Sequence, residues 1–411
     1  MSLVEPIACN EIADTNGNAK TGRVLLLGND DRVILAVARG LGRHGICVDV
    51  AWCSENSPAL KSSYVASFRS VPLYDPLDDS WIASLNELAT REQYDLVIPC
   101  NDYAVLPMQA ARDLLSPDVN WYLISDNAFA VAFDKSATSR MATELAIPTP
   151  IEFNLDRVEA LLLSSSDEVF EIDEKRLRFP VFLKPRSSIE LNDVTNKRAA
   201  KRIETPGQLA ETLREDCPAD GCLIQEGFEG IGVGVEVLAS TGKVLTQMQH
   251  KRLRETIDGG STYREAIAEI PSLTEATAKM VERLRYTGVA MFEFRYSPHS
   301  GQWVFLEINA RFWGSLPLAI AAGLNFPYAL YELLVNHKNA FDPSYKVGTR
   351  CRNLIQDIRA YRQHRGERFG WLELLGGRDH LDFLATDDWR PQFVNLGGLV
   401  RSVLRKLMRR R

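Results

Sequence analysis

Two apolar runs, "GVAMFEFRYS" (288–297) and "QWVFLEINA" (302–310), flank "PHSG", and this pairing constrains the chain more than any other stretch. Pro, Ser and Gly are turn formers, so the runs read as the arms of an antiparallel hairpin. Period-two alternation puts Glu293 on one face of the first strand, and Glu307 with Asn309 on one face of the second. A carboxylate inside an apolar strand is costly to desolvate unless it is paired or binds a cation. Pairing 293 with 307 brings both carboxylates and the amide together. The nearest even-loop register misses this by one residue, so the hairpin needs a five-residue turn or a bulge. The resulting hard-oxygen cluster suits Mg²⁺, with water and phosphate completing its shell. The plainer alternative is a pair of partly exposed strand glutamates.

Several cations belong to the same picture. Lys184 ends the apolar strand "FPVFLKP", where it either snorkels or grips a phosphate. In "VLTQMQHKRLRE", alternation sets His250, Arg252 and Arg254 on one face, where they repel unless anions arrive. "DGGSTYRE" follows as a loop whose glycines let the backbone approach a ligand. Carboxylates, an amide, spaced cations and a glycine turn together describe a site for Mg²⁺ and a polyphosphate. GxxxxGK[ST] does not occur, and the GxGxxG at Gly40–Gly45 closes the helical run "RVILAVARGLGRHG" instead of joining a strand to a helix start, so a P-loop or dinucleotide-binding fold is not supported.

With 411 residues the chain divides into two or three domains. "RVLLLGNDD", "RVILAVARGLGRHG" and "ICVDVAWC" read as strand, helix and strand of a parallel α/β unit, to which "YDLVIPCNDY" and "NWYLISDN" add strands. Ligands of open parallel sheets sit beyond the carboxyl ends of the strands, which points to Asn29–Asp31 and Asn101–Asp102. "FDKSATSRMATELAIPTP" (133–150) reads as a helix closed by Ile-Pro-Thr-Pro, a domain joint. The pattern then becomes antiparallel α+β, with helical stretches at 207–215 and 273–286. From Phe341 the chain is charged and aromatic with little period, and it ends in the basic run "RSVLRKLMRRR". The net charge of −6 gives no pull toward nucleic acid, and no apolar run reaches the ~18 residues of a membrane span. The first 22 residues lack the apolar core of a signal peptide, and the seven cysteines are scattered, so reduced thiols in a cytoplasmic protein are expected.

"MFEFR" followed by "VFLEINARFWGS", together with "FPVFLKPRSS", "LIQEGFEGIGVGVEVL" and "QHKRLRETIDGGST", resembles the ATP-grasp superfamily over roughly residues 24–340. The likeness is to its carbamoyl-phosphate-synthase-like, carboxylate–amine ligase branch. The resemblance implies an ATP-grasp fold, α/β plus α+β. A flexible N-terminus (1–22) would precede a parallel α/β pre-ATP-grasp domain (23–128). An ATP-grasp domain (129–340) would hold ATP between two α+β subdomains, and a C-terminal appendage (341–411) would follow. It implies that Lys135 and Lys184 contact the nucleotide phosphates and that Gln225, Glu226, Gly227 and Phe228 form the hinge strand for adenine. Glu293, Glu307 and Asn309 would hold Mg²⁺ (or Mn²⁺), with Arg311, Arg254 and Arg252 as the catalytic cations. Glu229 and Glu236 are both candidates for the ribose, and Gly232 falls nearest that place by spacing.

The activity implied is ATP-dependent joining of a small-molecule carboxylate, activated as an acyl phosphate, to an amine or amino acid. The alternatives are an ATP-grasp enzyme that uses a thiol or carbamate-type nucleophile, or a non-catalytic nucleotide-binding regulator. No nucleic acid partner is implied, and members of this family are often homodimers. The chain departs from the family between Lys184 and Gly207, where no glycine occurs. "RSSIELNDVTNKRAAKRIE" (186–204) stands there instead, a basic stretch expected to form a mobile lid.

Overall fold

The computed structural model describes residues 22–155, 158, 170–172, 175–216, 221–256, 260–363 and 379–398. β1 (Arg23–Leu27), α1 (Asp31–Gly42) and β2 (Cys47–Ala51) form the first parallel unit, paired from Arg23↔Cys47 to Leu27↔Ala51. Both strands are almost wholly apolar because both faces of the sheet are covered. Asp30 fixes the start of α1 by accepting the N–H groups of Arg32 and Val33 on Oδ1. β3 (Ser67–Phe68), α2 (Ser80–Glu92), β4 (Leu96–Pro99) and α3 (Asp102–Ala110) complete a sheet of order β3-β2-β1-β4.

The strand expected over "NWYLISDN" shrinks to one bridge, Trp121 with Val97. Ser125 already caps the next helix, α4 (Asp126–Ala132), which leaves no chain to extend the ladder. α5 (Lys135–Glu144) follows, capped by Asp134.

The next sheet holds β5 (Glu152–Phe153), β8 (Val181–Pro185), β9 (Lys201–Ile203) and β10 (Cys222–Glu226) in the order β5-β10-β8-β9. Two short strands, β6 (Phe170–Ile172) and β7 (Lys175–Leu177), form a ribbon before β8, and α6 (Pro206–Asp216) lies between β9 and β10. The largest sheet is built from β11 (Ile231–Ser240), β12 (Lys243–Glu255), β13 (Ser261–Ile267), β14 (Gly288–Tyr296) and β15 (Trp303–Asn309). α7 (Pro271–Leu284) precedes β14, and α8 (Leu316–Ala322) and α9 (Phe326–Leu334) follow β15.

β13 corrects the sequence reading, which made "DGGSTYRE" a loop. Residues 261–267 alternate half-buried and buried, with Thr262, Arg264 and Ala266 turned inward, which is the signature of a strand. Residues 258 and 259 of that stretch lie outside the described residues.

The described residues after 341 pack onto the same body. β16 (Arg350–Arg352) pairs with β13, α10 (Leu354–Gln363) follows, and β17 (His380–Leu381) pairs parallel with β16. The sheet thus reaches seven strands, β15-β14-β11-β12-β13-β16-β17. Segment 379–388 then docks on α1. Arg39 Nε donates to Asp388 Oδ2 at 2.8 Å, and its Nη atoms donate to the carbonyls of Asp382, Phe383 and Asp388. One apolar core joins α1 and the first sheet to β11–β15, α8 and α9.

The basic run 401–411 and the stretch before residue 22 lie outside the described residues. Cys53, Cys100, Cys222 and Cys351 carry free thiols, whereas Cys47 is disulfide-bonded, which their scattered spacing did not suggest. Among the described residues no helix is long and apolar enough to cross a membrane.

Candidate active site

In the β14–β15 hairpin Glu293 lies opposite Glu307, while Phe294 lies opposite Phe305. Leu306 is therefore the extra residue of a bulge, the device that the 293–307 pairing requires. Asn309 Nδ2 donates to Glu293 Oε1 at 2.9 Å, which leaves its amide oxygen for another partner. Arg252 of β12 pairs with the second oxygen of Glu293 and, at 3.1 Å, with Glu255. Although burial works against ionisation, Lys135, Lys184, Lys197 and Arg252 hold the Glu307 carboxyl below the usual range.

Two lysines face this carboxylate pair. Burial pushes the Lys184 ammonium below the ordinary lysine range against the pull of Glu307, and neighbouring Lys135 adds to the fall. Burial likewise lowers Lys135, opposed by Glu307. Lys135 is held by the chain that follows β8: its Nζ donates to Ser188 Oγ at 2.6 Å and to the Pro185 carbonyl at 3.3 Å. Arg186 adds an ion pair to Asp134 at 2.7 Å. Two depressed lysines facing the side chains of Glu293 and Glu307 form an electrostatic device set for a polyanion with a divalent cation.

Arg311, just beyond β15, makes a two-pronged bond to Asp102 at the head of α3, at 2.8 and 3.0 Å. Despite burial, the charges of Arg311, Lys197 and Lys135 keep Asp102 below the usual carboxylate range. This pair lies on the wall of a cavity of about 1450 Å³ between the ends of β1 and β4 and the C-terminal segment. Asn29, Asp30, Asn101, Lys197 and Asn353 also line it. The two rim loops picked out from the sequence thus meet there, tied by Asn101 Nδ2 donating to Asn29 Oδ1 at 2.6 Å.

Other expectations meet corrections. His250, Arg252 and Arg254 do not share a face. β12 changes register between Arg252 and Arg254, which breaks the alternation. Arg254 is buried against Asp357 of α10 at 2.5 Å, and His250 Nδ1 lies 3.1 Å from the buried Glu236. Glu236 also accepts from Ser315 at 2.9 Å and is closed to solvent, which removes it as a ribose partner, whereas Glu229 is exposed. In the hinge, Gln225 is buried with its amide on Glu152 at 2.8 Å. Glu226 and Gly227 donate their N–H groups to Ile151 and Pro180 at 2.9 and 3.2 Å.

The stretch 186–204 also buries more than its composition suggests. Ile189 and Val194 enter the apolar cluster of the N-terminal sheet, and Arg198 pairs with Glu190 at 2.6 Å. Asp357 and Asp382, which fix the arginines of β12 and β13, were missed. They sit in the charged C-terminal region, where no periodicity marks them.

The donor set at the hairpin fits a divalent ion: two facing carboxylates and one amide oxygen, all hard ligands, with Arg252 now compensating the charge of Glu293. Residues 219–356 match a family described as ATP-grasp in the biosynthetic pathway with Ter operon. A D-aspartate ligase of Enterococcus faecium (strain Aus0004) is 24% identical, over 78% of each chain. The fold is that of ATP-grasp structures. Biotin carboxylase from Campylobacter jejuni superposes with a TM-score of 0.59 at 12% identity, over 80% of this chain and 74% of that one. N5-carboxyaminoimidazole synthetase from Staphylococcus aureus, complexed with ADP, gives 0.58 at 14% identity over 81% and 82%. An L-amino acid ligase from Bacillus licheniformis gives 0.53 at 16% identity over 77% and 75%.

Proposed function

Since this chain belongs to the ATP-grasp superfamily, we propose that it is an ATP-dependent carboxylate–amine ligase. The observation that carries this is the register of β14 and β15, which sets Glu293 against Glu307 within electrostatic reach of Lys135 and Lys184. In this reading Lys135 and Lys184 bind the nucleotide phosphates and the strand around Gln225–Phe228 backs the adenine. Glu293, Glu307 and Asn309 would hold Mg²⁺, which would supply positive charge to offset that of the nucleotide phosphates. Arg311, fixed by Asp102, orients the acid at the mouth of the cavity. A carboxylate oxygen attacks the γ-phosphorus, the bond to the β-phosphate breaks, and ADP leaves. The amine then attacks the acyl carbon, phosphate departs, and the amine sheds a proton. Arg252 and Arg311 stabilise charge as it spreads over the transferred group. The amino-acid ligases among the similar proteins support an amino acid as one of the substrates.

A screen for ADP release over panels of carboxylates and amines tests the assignment. ADP that appears only when both an acid and an amine are present, with a product joined by a new amide, is the expected result. Tight ATP binding without turnover on any panel would favour a regulatory nucleotide-binding module instead.

Lys184 separates phosphate binding from snorkelling. Lys184→Met keeps the apolar stem, and nucleotide affinity should fall by more than about tenfold, ~1.4 kcal/mol. A loss within about threefold, ~0.7 kcal/mol, would leave Lys184 a surface-seeking side chain. The same lysines set a pH dependence. Phosphate favours their protonated forms, and both start below the ordinary lysine range. Affinity is therefore full near neutrality and declines as pH rises through the lowered values, before the ordinary value of about 10.4. Calorimetry between about pH 7 and pH 10 should show this slope, flattened in Lys184→Met.

The stretch 186–204 should respond to nucleotide in two parts. The N-terminal part is already bonded to α5, so its hydrogen exchange should be slow without ligand. Residues 194–200 carry the exposed Lys197, whose charge acts on Glu307 and Asp102, and should gain protection with a non-hydrolysable ATP analogue. Unchanged exchange at 194–200 on saturation would make this segment a fixed wall rather than a closing lid.

A further inference from the structure

Arg32 stands in the first turn of α1, where the helix dipole opposes its charge. Its guanidinium faces two carboxylates and bonds to neither: Asp30 Oδ2 and Asp382 Oδ2 both stand 3.9 Å away, beyond hydrogen-bond reach. Asp382 uses Oδ1 for Arg264 and for the Cys351 thiol, and its Oδ2 is buried with no hydrogen-bond partner among the described residues.

The guanidinium lies directly on Gly314. A Cβ at that position would come 2.2 Å from Nη2 and 2.6 Å from Cζ, so any side chain there would push the guanidinium out of this position. Three segments far apart in sequence thus hold one arginine in place: the first βα turn, the loop after β15, and the C-terminal segment. Arg32 and Gly314 line the same cavity as Arg311. Arg311 is matched by a two-pronged carboxylate, and Lys61 and Lys197 are exposed on the rim. Arg32 is the guanidinium on this wall that is fixed in position yet lacks a bonded anion among the described residues.

We propose that Arg32 determines specificity by binding a second carboxylate of the acid substrate, distinct from the one activated beside Arg311. This rests on the ligase reading only in assigning the cavity to the acid. A planar fork held open beside two out-of-reach acids is the arrangement that an incoming carboxylate completes with two parallel N–H···O bonds. Asp30 uses Oδ1 to cap α1 and keeps a side chain 37% exposed beside the fork, which provides a partner for an ammonium group. The substrate class is therefore a dicarboxylic amino acid, in which one carboxylate reacts and the other anchors.

Calorimetry tests this without turnover and without knowledge of the amine. The full chain, saturated with Mg²⁺ and a non-hydrolysable ATP analogue, is titrated with each enantiomer of aspartate and glutamate, and with alanine, β-alanine and succinate. At least one acidic amino acid should bind about 30-fold or more tightly than alanine. In Arg32→Gln that advantage should vanish while nucleotide affinity and melting temperature stay at wild-type values. Arg32→Lys should restore less than about a tenth of it, because an ammonium is a point charge and not a fork. A wild-type protein that binds alanine as well as aspartate, or binds none of these acids, overturns the proposal. So does an Arg32→Gln variant that keeps the preference. Selective dicarboxylate binding without ADP release on any amine panel would leave the role of Arg32 intact and sink the ligase reading alone.

Discussion

Glu307→Gln is expected to lower ADP formation by at least about 10²-fold while the protein still binds nucleotide. The substitution keeps the shape of the side chain and removes one of the two charges that face each other across β14 and β15. Three lysines and Arg252 act on that carboxylate, so its loss leaves an excess of positive charge. Nucleotide phosphates compensate that excess, and ATP without metal should bind the variant at least as tightly as the wild type. Dependence on the divalent ion should be lost in the same variant. ADP release with saturating substrates, and calorimetry with and without Mg²⁺, read these two effects separately. Turnover at the wild-type rate would remove Glu307 from the metal site and reduce the hairpin carboxylates to ordinary strand residues.

The second large effect falls on stability, far from the chemistry. Asp388→Ala should cost about 3–5 kcal/mol, because it leaves Arg39 charged and unpaired in the interior. Arg39 is 5% exposed and Asp388 3%. Asp388 also accepts from Ser62 Oγ at 2.6 Å and from the Ser63 N–H at 3.0 Å, so two segments, α1 and Ser62–Ser63, lose their common partner at once. The variant should melt at lower temperature and release the C-terminal segment to protease before the remainder of the chain. Removing both charges, as in Arg39→Met with Asp388→Leu, should recover much of the loss, since an apolar pair has no ion to strand. Equal sensitivity of the single and double variants would show that the backbone contacts, and not the charge, hold the segment.

The sequence made some of this architecture legible and hid the rest, for physical reasons. The hairpin could be read because Glu293, Glu307 and Asn309 break an apolar alternation, and the required one-residue offset appears as the bulge at Leu306. The boundaries of β12 and β15 agree with their apolar runs for the same reason. Alternation failed where a second bulge was silent in the sequence, so Arg254 was set beside Arg252 although it turns to Asp357. β13 escaped notice because its inward position 264 is an arginine, buried only because Asp382 meets it. The region after Phe341 carries its order in ion pairs with distant partners, such as Arg352 with Asp379 and Arg39 with Asp388, and such pairs leave no periodic trace. Composition likewise gave 186–204 too much freedom, since two apolar residues, Ile189 and Val194, suffice to anchor it.

The bond between Arg39 and Asp388 spans 349 positions of the chain, and Arg32 faces Asp382 from the same helix at 3.9 Å. A ribosome adding roughly 5–20 residues per second needs on the order of 20–70 s to deliver the second partner after the first. Throughout that interval α1 is made but lacks its final neighbour, and the cavity lacks a wall. A nascent chain that stalls late would carry every metal and phosphate ligand and still be unable to enclose an acid. Such fragments would bind ATP without a committed substrate, so the last contact to form also decides which copies of the protein become competent.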